Sequence, residues 1–134
     1  MPKLTISQLE GGADLRDWFE EEHGFHDATL RELELRQGAP GKLVIETFQM
    51  QSERDEKGYF ILTKHVVVTF TLFSLLAVEL SDFMEAAIIF DLSIDCDDKG
   101  TTLHLDSSYG VNGWIKAERI VVSFEPAVKD QPGA

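Results

Sequence analysis

The chain has 134 residues, of which 43% are hydrophobic and 27% are charged, and 24 Asp and Glu against 12 Lys and Arg give it a net charge of −12 at pH 7. This size and composition disfavour a globally disordered chain and are typical of one globular domain. The negative charge argues against nucleic acid and anionic membranes as partners, because affinity for phosphates depends on Lys and Arg. It favours a basic partner protein, unless the acidity serves solubility alone.

We expect a single domain over residues 1–134, with residues 1–12 as an N-terminal arm. Within the arm, the weak alternation of residues 4–9 is compatible with an edge strand or with an ordered arm. Residues 127–134 are expected to form a frayed tail, because they are polar and follow Pro126, where the last strand is expected to end.

A short helix is predicted after two consecutive glycines. Leu15, Trp18 and Phe19 have the i, i+3, i+4 spacing of one apolar helix face. Asp14 is the expected N-cap, because its side chain accepts hydrogen bonds from the first free N–H groups of a helix. Gly24 is the expected stop, because glycine readily adopts the left-handed conformation that ends many helices.

After the helix, the hydrophobic pattern changes to the period of two that is typical of strands. The predicted strands are residues 28–35 with a bulge near Arg31, 42–51, 59–73, 90–95, 102–106 and 115–124. Residues 66–78 are shorter than a bilayer span of about 20 residues and are rich in β-branched and aromatic side chains, so we interpret them as two buried strands. Turns are predicted at residues 37–41, at residues 97–100, and at Asn112-Gly113, which tolerates positive φ.

These elements predict a mainly β protein. An antiparallel β-sandwich or a half-open barrel of about seven strands, with one short N-terminal helix, fits the alternating patterns and the short turns. The strand at residues 59–73 is expected to be central, because both of its faces are half apolar.

The cysteine content bears on the cellular compartment. Cys96 is the only cysteine, which excludes an intrachain disulfide and a disulfide-stapled secreted domain. The first residues lack the apolar core of a signal peptide. We therefore expect a cytoplasmic, reduced and soluble protein.

A His-Asp pair, His26-Asp27, marks the junction between the helix and the first strand. Together with His23, and with a further ligand from His65 or His104, it is a candidate metal site, because imidazole and carboxylate suit zinc or iron. The distant histidines have no recognisable ligand spacing, however. The favoured interpretation is structural: His26 caps or packs at the junction, and Asp27 accepts backbone N–H groups of the turn. We expect no metal and no cofactor.

The pattern gives no indication of nucleophilic catalysis. Cys96 either faces inward or starts a turn, and Ser107-Ser108 has no identifiable base beside it. The carboxylates of Asp95, Asp97 and Asp98 lack the spacing of a calcium loop. The sequence therefore predicts no catalytic residues, and we do not expect an enzyme.

Tyr109 and Trp114 flank a predicted turn and are the best candidates for a recognition surface. Large amphipathic rings beside a loop are enriched at binding hot spots. The competing interpretation is that Trp114 plugs the open end of the sandwich. With His26 and Asp27, these two aromatic residues complete the set of candidate binding residues.

Several short segments together resemble a known family. They are, in chain order, Phe25-His26-Asp27-Ala28 leading into Leu30 and Leu33-Glu34-Leu35, then Val68-Thr69-Phe70, Ser108-Tyr109-Gly110, Trp114, Ala117 and Ile120-Val121-Val122. Over about residues 20–125, the order of elements resembles small bacterial all-β proteins similar to the immunity protein fifty family, whose members accompany secreted toxins and are thought to neutralise them. The resemblance implies a cytoplasmic bacterial protein that works by binding, and it supplies no catalytic residues.

Two functional hypotheses follow. The first is a non-catalytic binding protein, such as an immunity protein that covers a basic toxin with its acidic surface. The alternative is a small-ligand-binding protein or an enzyme with its site in a β-cavity, where His26, Asp27, His65 or His104 converge. The two differ in whether these side chains come within hydrogen-bond reach of one another. The oligomeric state is open.

Overall fold

The computed structural model describes residues 3–20, 25–54, 56–58, 60–83 and 87–126, with the backbone alone for residues 50–54, 60–63, 90, 108 and 109. The described elements are, in chain order, β1 (Lys3–Leu4), a 3-10 turn (Ile6–Gln8), α1 (Gly12–Phe19), β2 (Ala28–Glu34), β3 (Gly41–Arg54), β4 (Phe60–Ser81), β5 (Ala87–Cys96), β6 (Thr101–Tyr109) and β7 (Asn112–Pro126). None of the described helices has the length and apolar character needed to cross a bilayer.

The strands form a closed antiparallel barrel. β5, β2, β3, β4, β7 and β6 pair in that order, and β6 pairs again with β5. β1 pairs with β5 beyond the short stretch where β5 pairs with β2. The prediction of a mainly β protein with one short helix is confirmed. The barrel is closed rather than half-open, because β5 pairs with both β2 and β6 and so joins the two ends of the sheet.

Alternate residues of each strand fill the barrel interior. On β4, Val66, Val68, Phe70 and Leu72 are buried, which is the inward face that the alternation predicts. Facing strands contribute Leu43, Ile45, Ile89, Leu92, Ile94, Leu103, Leu105, Ile115 and Ala117 to the same core. β4 lies between β3 and β7, so its predicted central position is also confirmed.

β4 is one continuous strand, where two strands were expected over residues 66–78. Ser74 has a φ of 59°, and the pairing with β7 shifts register between Leu75 and Ala77. A bulge of this kind bends a strand without ending it. The bulge predicted near Arg31 is present as a register shift between residues 30 and 32.

The helix begins and ends earlier than predicted. Its N-cap is Gly11 rather than Asp14, and its C-cap is Glu20 with a φ of 64°. Gly11 has a φ of 83°, and a Cβ added to it would lie 2.0 Å from the carbonyl oxygen of Val122. This close approach to β7 requires glycine and fixes the start of the helix. Gly24, the predicted stop, lies outside the described residues.

The N-terminal arm is packed against the barrel. Ile6 and Leu9 are buried, and the carbonyl of Glu10 accepts a hydrogen bond of 2.8 Å from the N–H of Val122. The Glu10 carboxylate accepts two further hydrogen bonds from Arg119, at 3.0 and 2.6 Å. The ordered-arm alternative therefore describes most of this segment, with a two-residue strand at its start. The predicted tail at residues 127–134 lies outside the described residues.

Candidate functional site

His26 and Asp27 lie in the turn that leads into β2. Nε2 of His26 is 3.6 Å from Oδ2 of Asp27, and both side chains are exposed. The N–H of Asp27 donates a hydrogen bond of 2.8 Å to the carbonyl of Ile89. Phe25, in the same turn, is buried and packs edge-on against Phe70, with ring centroids 5.8 Å apart. The described contacts of this turn therefore attach it to the barrel.

The structure places His65 and His104 far apart on the barrel wall. His65 packs beside Phe48, with ring centroids 5.7 Å apart, near the end of β4 that pairs with Pro126. His104 lies opposite Trp114 on β7, which in turn pairs with Glu79. At a rise of about 3.3 Å per residue, roughly 45 Å of β4 separates His65 from Glu79. This separation is far beyond the hydrogen-bond reach that acid–base partners need.

His26 is also separate from His104. The turn that holds His26 contacts Ile89 on one edge of β5, whereas His104 lies beside Ser93 on the other edge. The two contact points are about 13 Å apart along the strand. His23 lies outside the described residues. Within the residues that the structure describes, no three His, Cys, Asp or Glu side chains are placed to hold a metal ion.

Tyr109 and Trp114 occupy different register positions. Trp114 pairs with His104 on β6, whereas Tyr109 pairs with Ile88 on β5. The side chain of Tyr109 lies outside the described part of the chain. Because its neighbour Ile115 is buried in the barrel, the alternation of β7 places Trp114 on the outer wall rather than in an open end.

Trp114 belongs to a cluster on the outer wall that we call the Trp114 face. Its members are outward-facing residues of β5, β6 and β7: Asp95, Thr102, His104, Trp114 and Lys116. Strand pairing places Thr102 opposite Lys116 and His104 opposite Trp114. Thr102, His104, Trp114 and Lys116 line an open cavity of about 190 Å³.

His104 is held by Asp95. Its Nε2 lies 2.6 Å from Oδ2 of Asp95, whose side chain is only 15% exposed. Oδ1 of Asp95 is buried and has no hydrogen-bond partner among the described residues. The carboxylate therefore fixes the orientation of the imidazole beside Trp114. The sequence places both residues on the polar face of the hairpin, but it does not show that they pair.

Lys116 is held by Asp97 in the turn between β5 and β6. Its Nζ donates to Oδ2 of Asp97 at 2.5 Å, while Oδ1 of Asp97 accepts the N–H groups of Lys99 and Gly100 at 2.8 and 3.0 Å. The hydrogen bond from Lys116 is the main cause that lowers the pKa of Asp97 to about 2. The turn predicted at residues 97–100 is confirmed, and the charge of Lys116 is compensated by its partner.

Exposed carboxylates surround the Trp114 face. Glu79 pairs directly with Trp114 across β4 and β7, and Asp91 lies directly opposite Asp106 across β5 and β6. None of these three, nor the nearby Asp98 and Glu118, forms an ion pair with a described residue. Like charges placed opposite each other destabilise a sheet, so the Asp91–Asp106 pair is unfavourable unless a cation compensates it.

Most of the described basic side chains are already paired. Ion pairs with neighbouring carboxylates hold Arg16, Arg31, Arg36, Lys42, Lys64, Lys116 and Arg119. The excess negative charge of the chain therefore lies in carboxylates such as those around Trp114. An aromatic ring flanked by carboxylates favours a cationic ligand, because a cation interacts favourably with the ring face and with the carboxylates.

Comparison with known proteins gave no match. No protein-family model, no curated protein and no solved structure matches the chain. Function is therefore inferred from the geometry of the chain itself. The Trp114 face offers an aromatic ring, an oriented imidazole and a rim of carboxylates, which is the composition of a binding surface.

Proposed function

We propose that the chain is a non-catalytic binding protein that engages a basic partner protein through the Trp114 face. The observation that carries the proposal is the position of Trp114 on the outer wall, next to carboxylates that have no ion-pair partner among the described residues. A tryptophan in this setting supplies contact area and a π face for Lys or Arg. The surrounding carboxylates accelerate the encounter with a positively charged surface and disfavour acidic partners.

The resemblance to the immunity protein fifty family supports a more specific role. In this role, the chain acts in the bacterial cytoplasm, where Cys96 remains reduced, and neutralises a basic toxin by covering it. The net charge of −12 is compatible with a positively charged toxin surface and unfavourable for DNA, RNA and anionic membranes. Binding alone is sufficient for such a role, so it needs no catalytic residue.

A small-ligand site is the second candidate function. It is supported by the cavity of about 190 Å³ beside Trp114, in which His104 offers a polar group and Thr102 and Lys116 complete the wall. The barrel interior is a less suitable location, because apolar side chains fill it. A cavity of this size fits a few non-hydrogen atoms rather than a typical cofactor, for which pockets measure about 300–1,000 Å³.

Calorimetry with a defined basic probe tests the proposed function. The probe is a decapeptide of Lys and Arg spaced by Gly and Ser, and the control peptide carries Glu in place of Lys and Arg. We expect only the basic peptide to bind, and to bind more weakly at about 0.15 M than at about 0.01 M ionic strength, because the screening length falls from about 30 to about 8 Å.

Matched variants locate the binding. Trp114→Ala is expected to weaken binding of the basic peptide at least fivefold, which corresponds to about 1 kcal/mol of binding free energy. Trp18→Phe is the control, because Trp18 packs against Phe19 and Phe124, with ring centroids 5.1 and 5.9 Å away, and not on the Trp114 face. Equal binding of both peptides, or equal affinity of the Trp114→Ala variant and the unmodified protein, would show that the proposal is wrong.

The immunity role needs a biological test. Co-expression with a basic bacterial toxin that binds the purified chain is expected to restore growth, and the Trp114→Ala variant is expected to restore less. Growth that stays inhibited despite measurable binding would contradict the immunity role while leaving the binding function in place.

A further inference from the structure

Among the residues that the structure describes, β4 has a free edge over part of its length. The pairing with β3 begins at Gly41, opposite Leu72, so the segment Phe73–Ser81 pairs with β7 on one side and with no described strand on the other. In an antiparallel sheet, every second residue of such a segment directs its N–H and C=O away from its only neighbour. We call residues 73–81 the free β4 segment.

The free β4 segment is apolar where an edge strand is usually charged. Leu76 and Val78 are 44% and 40% exposed. Isolated exposed apolar residues are common, but two on an unpaired edge make that edge a template for another strand. The bulge at Ser74 and the register shift after Leu75 make the first half of the segment irregular. Ala77–Ser81 is therefore the part with regular strand geometry.

Two clefts meet at Leu76. The first, of about 520 Å³, lies between residues 37–40 and residues 73–76. The second, of about 590 Å³, lies between Leu76 and Lys116. Glu118 lines both clefts. The first cleft lies beside the free edge, whereas the second lies over β7, because Lys116 pairs with Ala77. Strand addition uses concave space beside an edge for side-chain specificity.

The charges around the free β4 segment indicate what kind of strand can bind there. Glu79 and Glu118 are exposed there without an ion-pair partner among the described residues, and Asp98 lines the second cleft. Of the two lysines at that cleft, Lys116 is compensated by Asp97, which leaves Lys99 as the opposing charge. A second copy of this chain, with a net charge of −12, is disfavoured on the same edge.

We infer that the free β4 segment binds an extended, basic segment of the partner protein as an added strand. Backbone N–H and C=O groups of Ala77–Ser81 pair with the added strand, and an apolar side chain of that strand enters the cleft between residues 37–40 and residues 73–76. Lys or Arg side chains lie next to Glu79 and Glu118. The inference rests on the proposed function, since Glu79 also borders Trp114, and it adds the location and the mode of binding.

Nuclear magnetic resonance with two peptides tests the inference. The probe is an octapeptide of alternating Lys and Val, and its control carries N-methyl groups on every second backbone nitrogen. We expect the unmethylated peptide to slow hydrogen exchange at amides within residues 73–81, and methylation to weaken binding at least tenfold, because it removes the backbone donors of the added strand.

Two variants supply matched comparisons. Leu76→Ala is expected to lower the affinity for the Lys-Val peptide at least threefold, because it removes the side chain that lines both clefts. Ile88→Ala, which truncates a side chain of similar exposure on β5, is expected to leave the affinity unchanged. Equal effects of the two variants would overturn the inference.

The remaining outcomes separate this inference from the proposed function. Binding of the Lys-Val peptide that leaves exchange at residues 73–81 unchanged overturns the strand-addition mode, whereas the Gly- and Ser-spaced basic peptide still tests the Trp114 face. Failure of both basic peptides to bind overturns both proposals. A dimer in sedimentation analysis that protects residues 73–81 without peptide would show that a second copy occupies the edge, which also overturns the inference.

Discussion

Asp97 connects the turn between β5 and β6 to β7 through a single carboxylate. The hydrogen bond from Lys116 lowers its pKa from 3.8 to about 2, with help from the N–H groups of Lys99 and Gly100. Since the folded state favours the ionised form, this carboxylate contributes stability that is fully present above the unfolded pKa near 3.8 and is lost as the pH falls through about 2.

We therefore expect Asp97→Asn to flatten the loss of stability between about pH 4 and about pH 2. Urea unfolding measured across this range gives the slope of the free energy of unfolding against pH for each protein. Asp98→Asn is the control, because it removes the neighbouring carboxylate, which makes no described ion pair. Identical slopes for the Asp97→Asn variant and the unmodified protein would contradict the assignment.

Gly113 lets β7 approach the end of β4. Its φ is 139°, and a Cβ added there would lie 1.9 Å from the carbonyl oxygen of Glu79. We expect Gly113→Ala to destabilise the protein by about 1–3 kcal/mol more than Gly38→Ala, because overpacking adds to the strain of positive φ. Gly38 is a matched control, since its φ is 76° and nothing lies within 4 Å of the added atom. Chemical unfolding followed by circular dichroism gives the free energy of unfolding of both variants. Equal losses of stability would show that β4 tolerates the added Cβ.

Single residues of the candidate site were predictable only in part. The alternation along β6 and β7 places His104 and Trp114 on polar faces, but their pairing depends on a register that the sequence does not show. The sequence predicts that Tyr109 and Trp114 flank one turn, which contains Asn112-Gly113. Residues 110 and 111 separate the two strands instead, so β7 already begins at Asn112. This shift gives Tyr109 a different cross-strand neighbour.

β4 is the element whose two halves differ most in environment. Residues 66–72 pair with β3 on one side and β7 on the other, whereas the free β4 segment pairs with β7 alone in the described part of the chain. We expect protection from hydrogen exchange at all amides of residues 66–72 and fast exchange at alternate amides of residues 73–81. Uniformly slow exchange along β4 in the isolated protein would show that its edge is covered.

Strand positions were more predictable than element ends. The inward series from Val66 to Leu72 follows the period of two, because one face of β4 lies in the core. The continuation past Ser74 was not predictable, since a bulge changes which residues face inward. The helix start was also missed. Gly11 is selected by its close contact with Val122, a tertiary constraint that outweighs the capping preference of Asp14.

Closure of the barrel is a property of the whole molecule. It depends on pairing between β2 and β5, such as Ala28 with Ile89, which are far apart in the sequence. Local patterns therefore predict the strands, the turns and the buried faces, but leave the choice between an open and a closed sheet undetermined. The acidic character is visible in composition, whereas its concentration around Trp114 requires the pairing of β4, β5, β6 and β7.

The indole N–H of Trp114 reports most directly on the central claim that a basic partner binds the Trp114 face. Two-dimensional NMR spectra recorded during titration with the Gly- and Ser-spaced basic peptide resolve it from the indole N–H of Trp18. We expect the Trp114 signal to move in a saturable way, to move less at higher salt, and the Trp18 signal to stay in place. A stationary Trp114 signal, or equal movement with the Glu-containing peptide, would contradict the claim.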